Sequence, residues 1–153
     1  MKAVIIAAGC GSRLKSVHKD IPKTLIKINK ERLIDDIIGK IKNAGINEIT
    51  IITGYKSEML KSALSDYNNG GFKLVFIYNP DWEKENGISV LCAKEYIPED
   101  EQFILLMSDH IFEQEILTQI VETEIDEDDA LLALDFKIDK IPDIDDGMKI
   151  QCT

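Results

Sequence analysis

The sequence of 153 residues is poor in cysteine, in tryptophan and in long apolar runs. Its three cysteines, Cys10, Cys92 and Cys152, are odd in number and far apart, and no Cys-x-x-Cys pair or Cys/His cluster accompanies them. This pattern predicts neither a disulfide framework nor a zinc site, and it favours reduced thiols in a cytoplasmic protein. The first apolar run, residues 3–8, is too short for the core of a signal peptide or for a membrane span, so we expect no membrane segment in this chain.

Cations are the scarcer charge, because 18 Lys and Arg residues stand against 28 Asp and Glu residues, a formal net charge of −10. Such a balance argues against nonspecific binding to nucleic acid or to a membrane surface. The charge is unevenly distributed, however. Up to Pro98 there are 15 basic and 11 acidic residues, whereas from Glu99 onward there are 3 and 17. The first part of the chain therefore keeps the cations that an anionic small molecule would need.

Short apolar runs alternate with helical patterns, in a composition typical of a globular protein, with 44% hydrophobic and 30% charged residues. The unalternated runs are typical of strands buried on both faces of a parallel sheet, and they lie at residues 3–8, 49–52, 74–77, 103–107 and 131–136. Helical spacing predicts four helices, one from Leu33 to a stop near Gly45 and others at residues 56–67, with Met59 and Leu60 inward, 89–96 and 116–125. The order predicts an α/β fold, a Rossmann-like three-layer sandwich with a mostly parallel central sheet, as one domain spanning residues 1–153.

A glycine-rich loop, GCGSRL at residues 9–14, follows the first predicted strand. A dinucleotide-binding fingerprint would need a third glycine where Leu14 stands, and a Walker A loop would need Gly-Lys-Ser/Thr, so neither fits. Two glycines let the backbone approach a ligand closely, Arg13 lies in the loop, and Pro22 stiffens the chain just before Lys23. Backbone amides and two cations at the carboxyl end of a buried strand favour a polyphosphate site over a tight turn with surface cations.

Polar residues also follow the other predicted strands. Asp109 comes after the run at 103–107, and a single carboxylate is a usual protein ligand for a Mg²⁺ ion that also holds phosphate oxygens. The alternative is a loop acid that caps the next helix near Gln114. Gly54 follows the second strand, and the alternative to a ligand-binding role for it is a plain strand-to-helix turn. Asn86 or Ser89, in the polar segment before the third helix, has helix capping as its alternative.

Four short segments resemble one protein family. AAGCGSRL at residues 7–14 and PKTL at residues 22–25 resemble the loop signature of the sugar-phosphate nucleotidyltransferase superfamily, the nucleoside-diphosphate-sugar pyrophosphorylases and their relatives. ENGISV at residues 85–90 and SDH at residues 108–110 resemble the inositol-1-phosphate cytidylyltransferase branch and, more loosely, the choline-phosphate cytidylyltransferases. The resemblance covers nearly the whole chain and implies the nucleotide-diphospho-sugar transferase fold. Family members continue with further strands, which implies a domain that is incomplete at its C-terminus.

The resemblance implies roles for residues at three strand ends. Arg13 and Lys23 are implied as catalytic residues that stabilise charge during nucleotidyl transfer, and Asp109 as the Mg²⁺ ligand. The other implied residues bind the nucleotide, through its triphosphate in the first loop and through its base in the later two, and they are Ala7, Ala8, Gly9, Gly11, Ser12, Thr53, Gly54, Asn86, Gly87 and Ser89.

The leading hypothesis is a Mg²⁺-dependent nucleotidyltransferase that joins CTP to an alcohol phosphate, with inositol 1-phosphate favoured, and releases pyrophosphate. Choline phosphate or a sugar 1-phosphate is the alternative acceptor. A nucleotide-binding module without turnover is the alternative of another class, and Leu14 argues against an NAD(P)-dependent oxidoreductase. The expected partners are therefore a nucleoside triphosphate and a small phosphorylated acceptor, with no nucleic acid, and a homodimer is left open.

Overall fold

Short strands and helices alternate along the computed structural model, which describes residues 1–11, 20–70, 72–126 and 129–136. In chain order they are β1 (Lys2–Ala7), β2 (Lys27–Ile28), β3 (Glu31–Arg32), α1 (Leu33–Asn43), β4 (Glu48–Thr53), α2 (Ser57–Ala63), β5 (Lys73–Tyr78), α3 (Asn86–Leu91), β6 (Phe103–Met107) and α4 (Gln114–Glu122). Short 3₁₀ helices lie at Lys23–Leu25, Ser65–Gly70 and Lys94–Tyr96.

Strands β1, β4, β5 and β6 form one parallel sheet in the spatial order β5-β4-β1-β6. The central strand β1 pairs with β4 on one side and with β6 on the other, so that Ala3 lies between Ile49 and Ile104. Because the four strands run in one direction, the residues that follow them meet along a single edge of the sheet. We call this the carboxyl edge, and it is formed by Ala8, Gly54, Asn79 and the pair Ser108-Asp109.

Helices cover both faces of the sheet. On one face, alternate residues of β1 and β4 join a buried cluster with Ile34 of α1, Leu60 of α2 and Leu117 of α4. On the other face, the second cluster includes Ala93, which lies just after α3, with Val90 of α3 packed against it. Three layers around a parallel sheet result, and the predicted α/β sandwich is confirmed.

Helix α1 forms as its apolar spacing predicts. Ile34, Ile37 and Ile41 recur on one face and are 0% exposed. The helix ends at Asn43, and Gly45 then adopts a φ of +82°, a conformation that glycine tolerates and that often closes helices. The predicted stop at Gly45 is therefore confirmed.

The other helices depart from their predicted bounds. α2 ends at Ala63 and is followed by a 3₁₀ helix, and Met59 is 41% exposed although its spacing predicted an inward side chain. α3 begins at Asn86, three residues before its predicted start, and α4 occupies Gln114–Glu122 rather than residues 116–125. Local turns set these ends, and hydrophobic spacing does not encode them. Among the described residues, no helix has both the length and the hydrophobicity that crossing a membrane requires.

The predicted fifth strand, at residues 131–136, is wrong. The segment forms no helix or strand, and its large apolar side chains are exposed, Phe136 by 75%. Pairing with a neighbour makes a strand, and no described strand pairs with this run despite its composition. Conversely, the hairpin of β2 and β3 was not predicted, because strands of two residues contain no period to detect.

Candidate active site

Lys23 and Asp109 meet at the carboxyl edge. The ammonium Nζ of Lys23 donates a hydrogen bond of 2.8 Å to Oδ2 of Asp109. Each side chain is 32% exposed, so a ligand can reach both groups from solvent. The structure thus brings together one predicted catalytic cation and the predicted metal ligand.

The backbone around Lys23 is held on two sides. Pro22 is buried, and its carbonyl accepts the amide of Leu25 at 2.9 Å, which closes the 3₁₀ turn that carries Lys23. On the other side, Gly11 has a φ of +59°, and a Cβ at that position would lie 3.0 Å from the Cβ of Lys23. A larger residue at position 11 would be strained and would press on the lysine.

Asp109 takes its position from the end of β6. The amide of Ser108 donates to the carbonyl of Ile6 at 3.1 Å, which ties the chain to β1 up to the residue before Asp109. Burial alone would raise the pKa of the Asp109 carboxyl. The hydrogen bond and charge of Lys23, with a smaller effect of the His110 charge, outweigh burial and lower that pKa below its ordinary value. The carboxylate is therefore ionised at neutral pH, as a metal ligand must be.

The alternative role for Asp109, as a helix cap, does not hold. The N-cap residue of α4 is Glu113, four residues further along the chain. His110 is 70% exposed, and its Nε2 lies 3.9 Å from Oδ1 of Asp109. Asp109 therefore remains at the carboxyl edge with Lys23 as its hydrogen-bonded partner.

Gly54 makes room for the only tryptophan. A Cβ on Gly54 would lie 2.3 Å from the Cβ of Trp82 and 2.7 Å from the carbonyl oxygen of Ala8. The amide of Tyr55 donates to that same carbonyl at 2.9 Å, and the rings of Tyr55 and Trp82 are 5.6 Å apart. Gly54 is thus required for close packing and not only for a turn.

An open cleft that no sequence motif indicated adjoins Gly54. Its volume is about 640 Å³, and its lining consists of Gly54, Lys56, Ser57, Glu58, Met59 and Tyr78. The outward position of Met59, which helical spacing predicted inward, belongs to this cleft. Five of the six lining residues lie in the continuous segment 54–59, and the cleft forms because this segment packs beside Tyr78 of β5, a contact that the local sequence does not encode.

Two of the residues implied to bind the nucleotide lie beneath the surface of the carboxyl edge. Thr53 is 0% exposed, and its hydroxyl contacts that of Ser57 at 2.8 Å and the carbonyl of Ile77 at 3.1 Å. Ser89 is 3% exposed, and its Oγ accepts a hydrogen bond of 2.9 Å from Nδ2 of Asn79. Both hydroxyls already have hydrogen-bond partners within the protein, so they stabilise the residues of the carboxyl edge from the interior.

Asn86 and Gly87 are exposed at the start of α3. The N-cap residue is Glu85, and no side chain caps the helix, so the capping alternative for Asn86 and Ser89 is wrong. A Cβ on Gly87 would meet no atom within 4 Å. This pair therefore presents an open surface to a ligand.

The first loop is described only as far as Gly11. Ala7 and Ala8 are 3% and 2% exposed, whereas Gly9 is exposed. Ser12 and Arg13 lie outside the described residues, and their implied roles stay predictions.

The comparison with known protein families agrees with this geometry. Residues 2–141 match the sequence profile of the family described as Nucleotidyl transferase. The chain belongs to the nucleotidyl transferase family.

Two relatives in the nucleotidyl transferase family share about a third of their aligned residues with the chain. A CTP:phosphoglutamine cytidylyltransferase of Campylobacter jejuni is 34% identical over 129 residues, which are 81% of this chain and 49% of that protein. A bifunctional IPC transferase and DIPP synthase of Aquifex aeolicus is 36% identical over 121 residues, which are 78% of this chain and 27% of that protein. The chain thus spans half or less of the length of these relatives.

A solved structure supports the nucleotidyltransferase fold. The inositol-1-phosphate CTP transferase from T. maritima superposes with a TM-score of 0.69 at 24% identity, covering 82% of this chain and 49% of the other. Together with the family match, this similarity identifies the parallel sheet as that of a nucleotidyltransferase.

Proposed function

We propose that this protein catalyses nucleotidyl transfer from CTP to a small alcohol phosphate, with inositol 1-phosphate as the favoured acceptor. The observation that carries the proposal is the contact of Lys23 with Asp109 at the carboxyl edge. A cation for phosphate and a carboxylate for a metal lie side by side, where ligands of open α/β sheets bind. Family membership makes nucleotidyl transfer the reaction that fits this pair.

In the proposed reaction, a phosphate oxygen of the acceptor attacks the α-phosphorus of CTP. A new P–O bond forms to the acceptor, the bond from the α-phosphorus to the bridging oxygen breaks, and pyrophosphate leaves with the electron pair. No general base is needed, because the attacking phosphate is already an anion. The difficulty is to bring two anions together, so positioning and cationic stabilisation supply the catalysis.

Lys23 supplies part of that cationic stabilisation. Its ammonium turns from Asp109 to the phosphates, and Arg13 is assigned the same task from the first loop. Gly9 is exposed and Gly11 is partly exposed beside Lys23, and two glycines after β1 offer the close backbone approach that a triphosphate needs. Ser12 completes the loop in this proposal.

Asp109 fits a Mg²⁺ ion that arrives with the nucleotide. Within the described ranges, no group of three or more His, Cys, Asp or Glu residues could hold a metal alone. Mg²⁺ is commonly bound by one or two carboxylates together with substrate phosphates, and an ionised Asp109 meets that need. Bound there, the ion would neutralise charge on the phosphate oxygens.

The base is assigned to the far side of the carboxyl edge. Asn86 and Gly87 are the exposed candidates, and Gly54 borders the open cleft that Lys56 and Tyr78 also line. Thr53 and Ser89 support this surface from below, because their hydroxyls are buried and paired. In this proposal residues 1–153 contribute the nucleotide-binding part of the domain.

The choice of CTP is supported by the Campylobacter jejuni relative, whose name specifies cytidylyl transfer from CTP. The choice of inositol 1-phosphate is supported by the resemblance of residues 85–90 and 108–110 to the inositol-1-phosphate cytidylyltransferase branch. The test is release of pyrophosphate from CTP with inositol 1-phosphate in the presence of Mg²⁺. UTP and GTP are the parallel nucleotides, and phosphocholine, a phosphorylated glutamine and glucose 1-phosphate are the parallel acceptors. Pyrophosphate release with the pair CTP and inositol 1-phosphate, and with none of the parallel substrates, supports the full proposal. Binding of CTP without any product would instead favour a nucleotide-binding module.

A further inference from the structure

One buried carboxamide joins both ends of residues 80–88, which we call the edge loop. Asn79 precedes the loop and Ser89 follows it. Oδ1 of Asn79 accepts the amide of Asp81 at 2.8 Å, and Nδ2 donates to Oγ of Ser89 at 2.9 Å. The two ends of the loop are thereby held to the same side chain.

Asn79 is itself firmly anchored. It is 1% exposed, and its amide donates to the carbonyl of Thr53 at 2.8 Å, which continues the pairing of β5 with β4 beyond the strand ends. Both polar atoms of its side chain have partners, as buried amides require. Asn79 therefore transmits the position of the sheet to the edge loop.

The edge loop itself is mostly exposed. The backbone hydrogen bonds within the loop are local. The amide of Lys84 donates to the backbone carbonyl of Asp81 at 2.9 Å, and the amide of Ile88 donates to the backbone carbonyl of Glu85 at 3.1 Å. Such bonds shape a turn but do not fix where the turn lies. Trp82, packed against Gly54 and Tyr55, holds the first half of the loop to the sheet edge. The link from Asn79 holds the two ends, including the Ser89 end that lies next to Asn86 and Gly87.

We propose that Asn79 is a positioning residue for recognition of the nucleotide base. This inference rests on the proposed function, which assigns Asn86 and Gly87 to the base. Asn79 is too deeply buried to touch the nucleotide, so it acts through the edge loop. The triphosphate is assigned to the first loop and Lys23, which do not depend on this link.

Binding of the base should depend on the hydrogen bonds of Asn79, whereas binding of the phosphates should not, and this difference provides the test. Calorimetry in Mg²⁺ compares CTP with inorganic tripolyphosphate, which has the phosphates but no base, on wild-type protein and Asn79→Ala. We expect CTP to bind about tenfold more weakly to Asn79→Ala, since a buried hydrogen-bond pair is lost and the loop must be ordered on binding. Tripolyphosphate should bind both proteins equally. Amide hydrogen exchange at Asp81 should become faster.

Thr50→Ala is the matched control, because Thr50 is 2% exposed inside β4 and away from the carboxyl edge. It should weaken neither ligand. Ser89→Ala is the second variant should Asn79→Ala fail to fold; it breaks only one of the two links and should weaken CTP less, again without effect on tripolyphosphate.

Equal weakening of both ligands, or unchanged affinity for CTP in both variants, would overturn the positioning role while leaving the proposed function intact. Wild-type protein that binds no CTP would overturn the proposed function and this inference with it.

Discussion

Lys23 and Asp109 are 86 positions apart in the sequence, yet a hydrogen bond of 2.8 Å joins Nζ of one to Oδ2 of the other. Asp109 follows β6, which pairs with β1 in the sheet, and Lys23 lies against Gly11 in the loop after β1, so both residues reach the carboxyl edge. In the proposed reaction this ion pair is exchanged for two others, lysine with phosphate and carboxylate with metal. The ion pair therefore keeps both side chains charged while no nucleotide or metal is bound.

Replacing Lys23 with Met should remove catalysis without removing the fold. Turnover should fall about 10²–10³-fold, or about 2.7–4 kcal/mol of barrier, by analogy with the loss of one donor from an oxyanion hole. The pKa of the Asp109 carboxyl should rise, because the hydrogen bond and charge that lower it are gone. Pyrophosphate release measures the first effect, and NMR titration of the carboxyl carbon measures the second.

Lys27→Met is the control for this change, since Lys27 is exposed and lies in β2, after the 3₁₀ helix that carries Lys23. It should leave turnover at the wild-type level. Undiminished turnover in Lys23→Met would contradict the assignment of Lys23.

Replacing Asp109 with Asn should uncouple nucleotide binding from Mg²⁺. In Mg²⁺ the affinity for CTP should fall at least about 10–100-fold, the loss that removal even of an outer-shell partner of a metal causes. In EDTA the variant should bind CTP at least as tightly as wild type, since no metal then needs the carboxylate and Lys23 has lost a competing partner. Calorimetry in the two buffers gives both values.

Asp100→Asn provides the comparison, because Asp100 is exposed and lies near the opposite end of β6. Equal dependence on Mg²⁺ in Asp109→Asn and Asp100→Asn would rule out Asp109 as the ligand.

The placement of Lys23 and Asp109 at one edge of the sheet was predicted from the sequence, whereas their hydrogen bond and the burial of Thr53 and Ser89 were not. Unalternated apolar runs identify strands buried on both faces, and parallel strands align their carboxyl ends, so residues after the strands must converge. A hydroxyl such as that of Thr53 at the end of β4, or of Ser89 in α3, has the same local sequence whether it faces a ligand or another side chain. Only the packing of Ser89 against Asn79 decides between these.

The same limit explains the error at residues 131–136. The run has the composition of the strands at β1 and β4, but those strands have partners, and composition does not report the partner. Helix α1 was predictable to its last turn because an amphipathic pattern and Gly45 are both local. The short α3 was not, because its six residues hold fewer than two helical periods.

Tyr67 gives a test of stability against pH, away from the site. Its hydroxyl donates to Oδ1 of Asp35 at 2.8 Å. Burial, and then the hydrogen bond and charge of Asp35, raise the pKa of Tyr67 from 10.0 to about 12. The folded state thus favours the protonated phenol, so its contribution to stability is fully present below pH 10 and is lost as the pH rises towards about 12.

The advantage of wild type over Tyr67→Phe in free energy of unfolding should therefore be constant below pH 10 and shrink above it. Urea denaturation at a series of pH values measures this difference. Tyr96→Phe gives the reference for removing a tyrosine that is 49% exposed. An advantage that grows above pH 10 would show that the hydrogen bond with Asp35 is not made in the folded protein.

Gly54→Ala should destabilise the fold, whereas Gly39→Ala should stabilise it. At Gly54 the new methyl would lie 2.3 Å from Cβ of Trp82 and 2.7 Å from the carbonyl oxygen of Ala8, and neither atom belongs to a flexible side-chain end. Overpacking of this kind costs about 1–3 kcal/mol. Gly39 lies inside α1 with no atom within 4 Å of a new Cβ, so alanine there should gain about 0.5–1 kcal/mol of helix stability. Midpoints of urea denaturation give both values, and a Gly54→Ala protein as stable as wild type would contradict the close packing of Trp82 across the carboxyl edge.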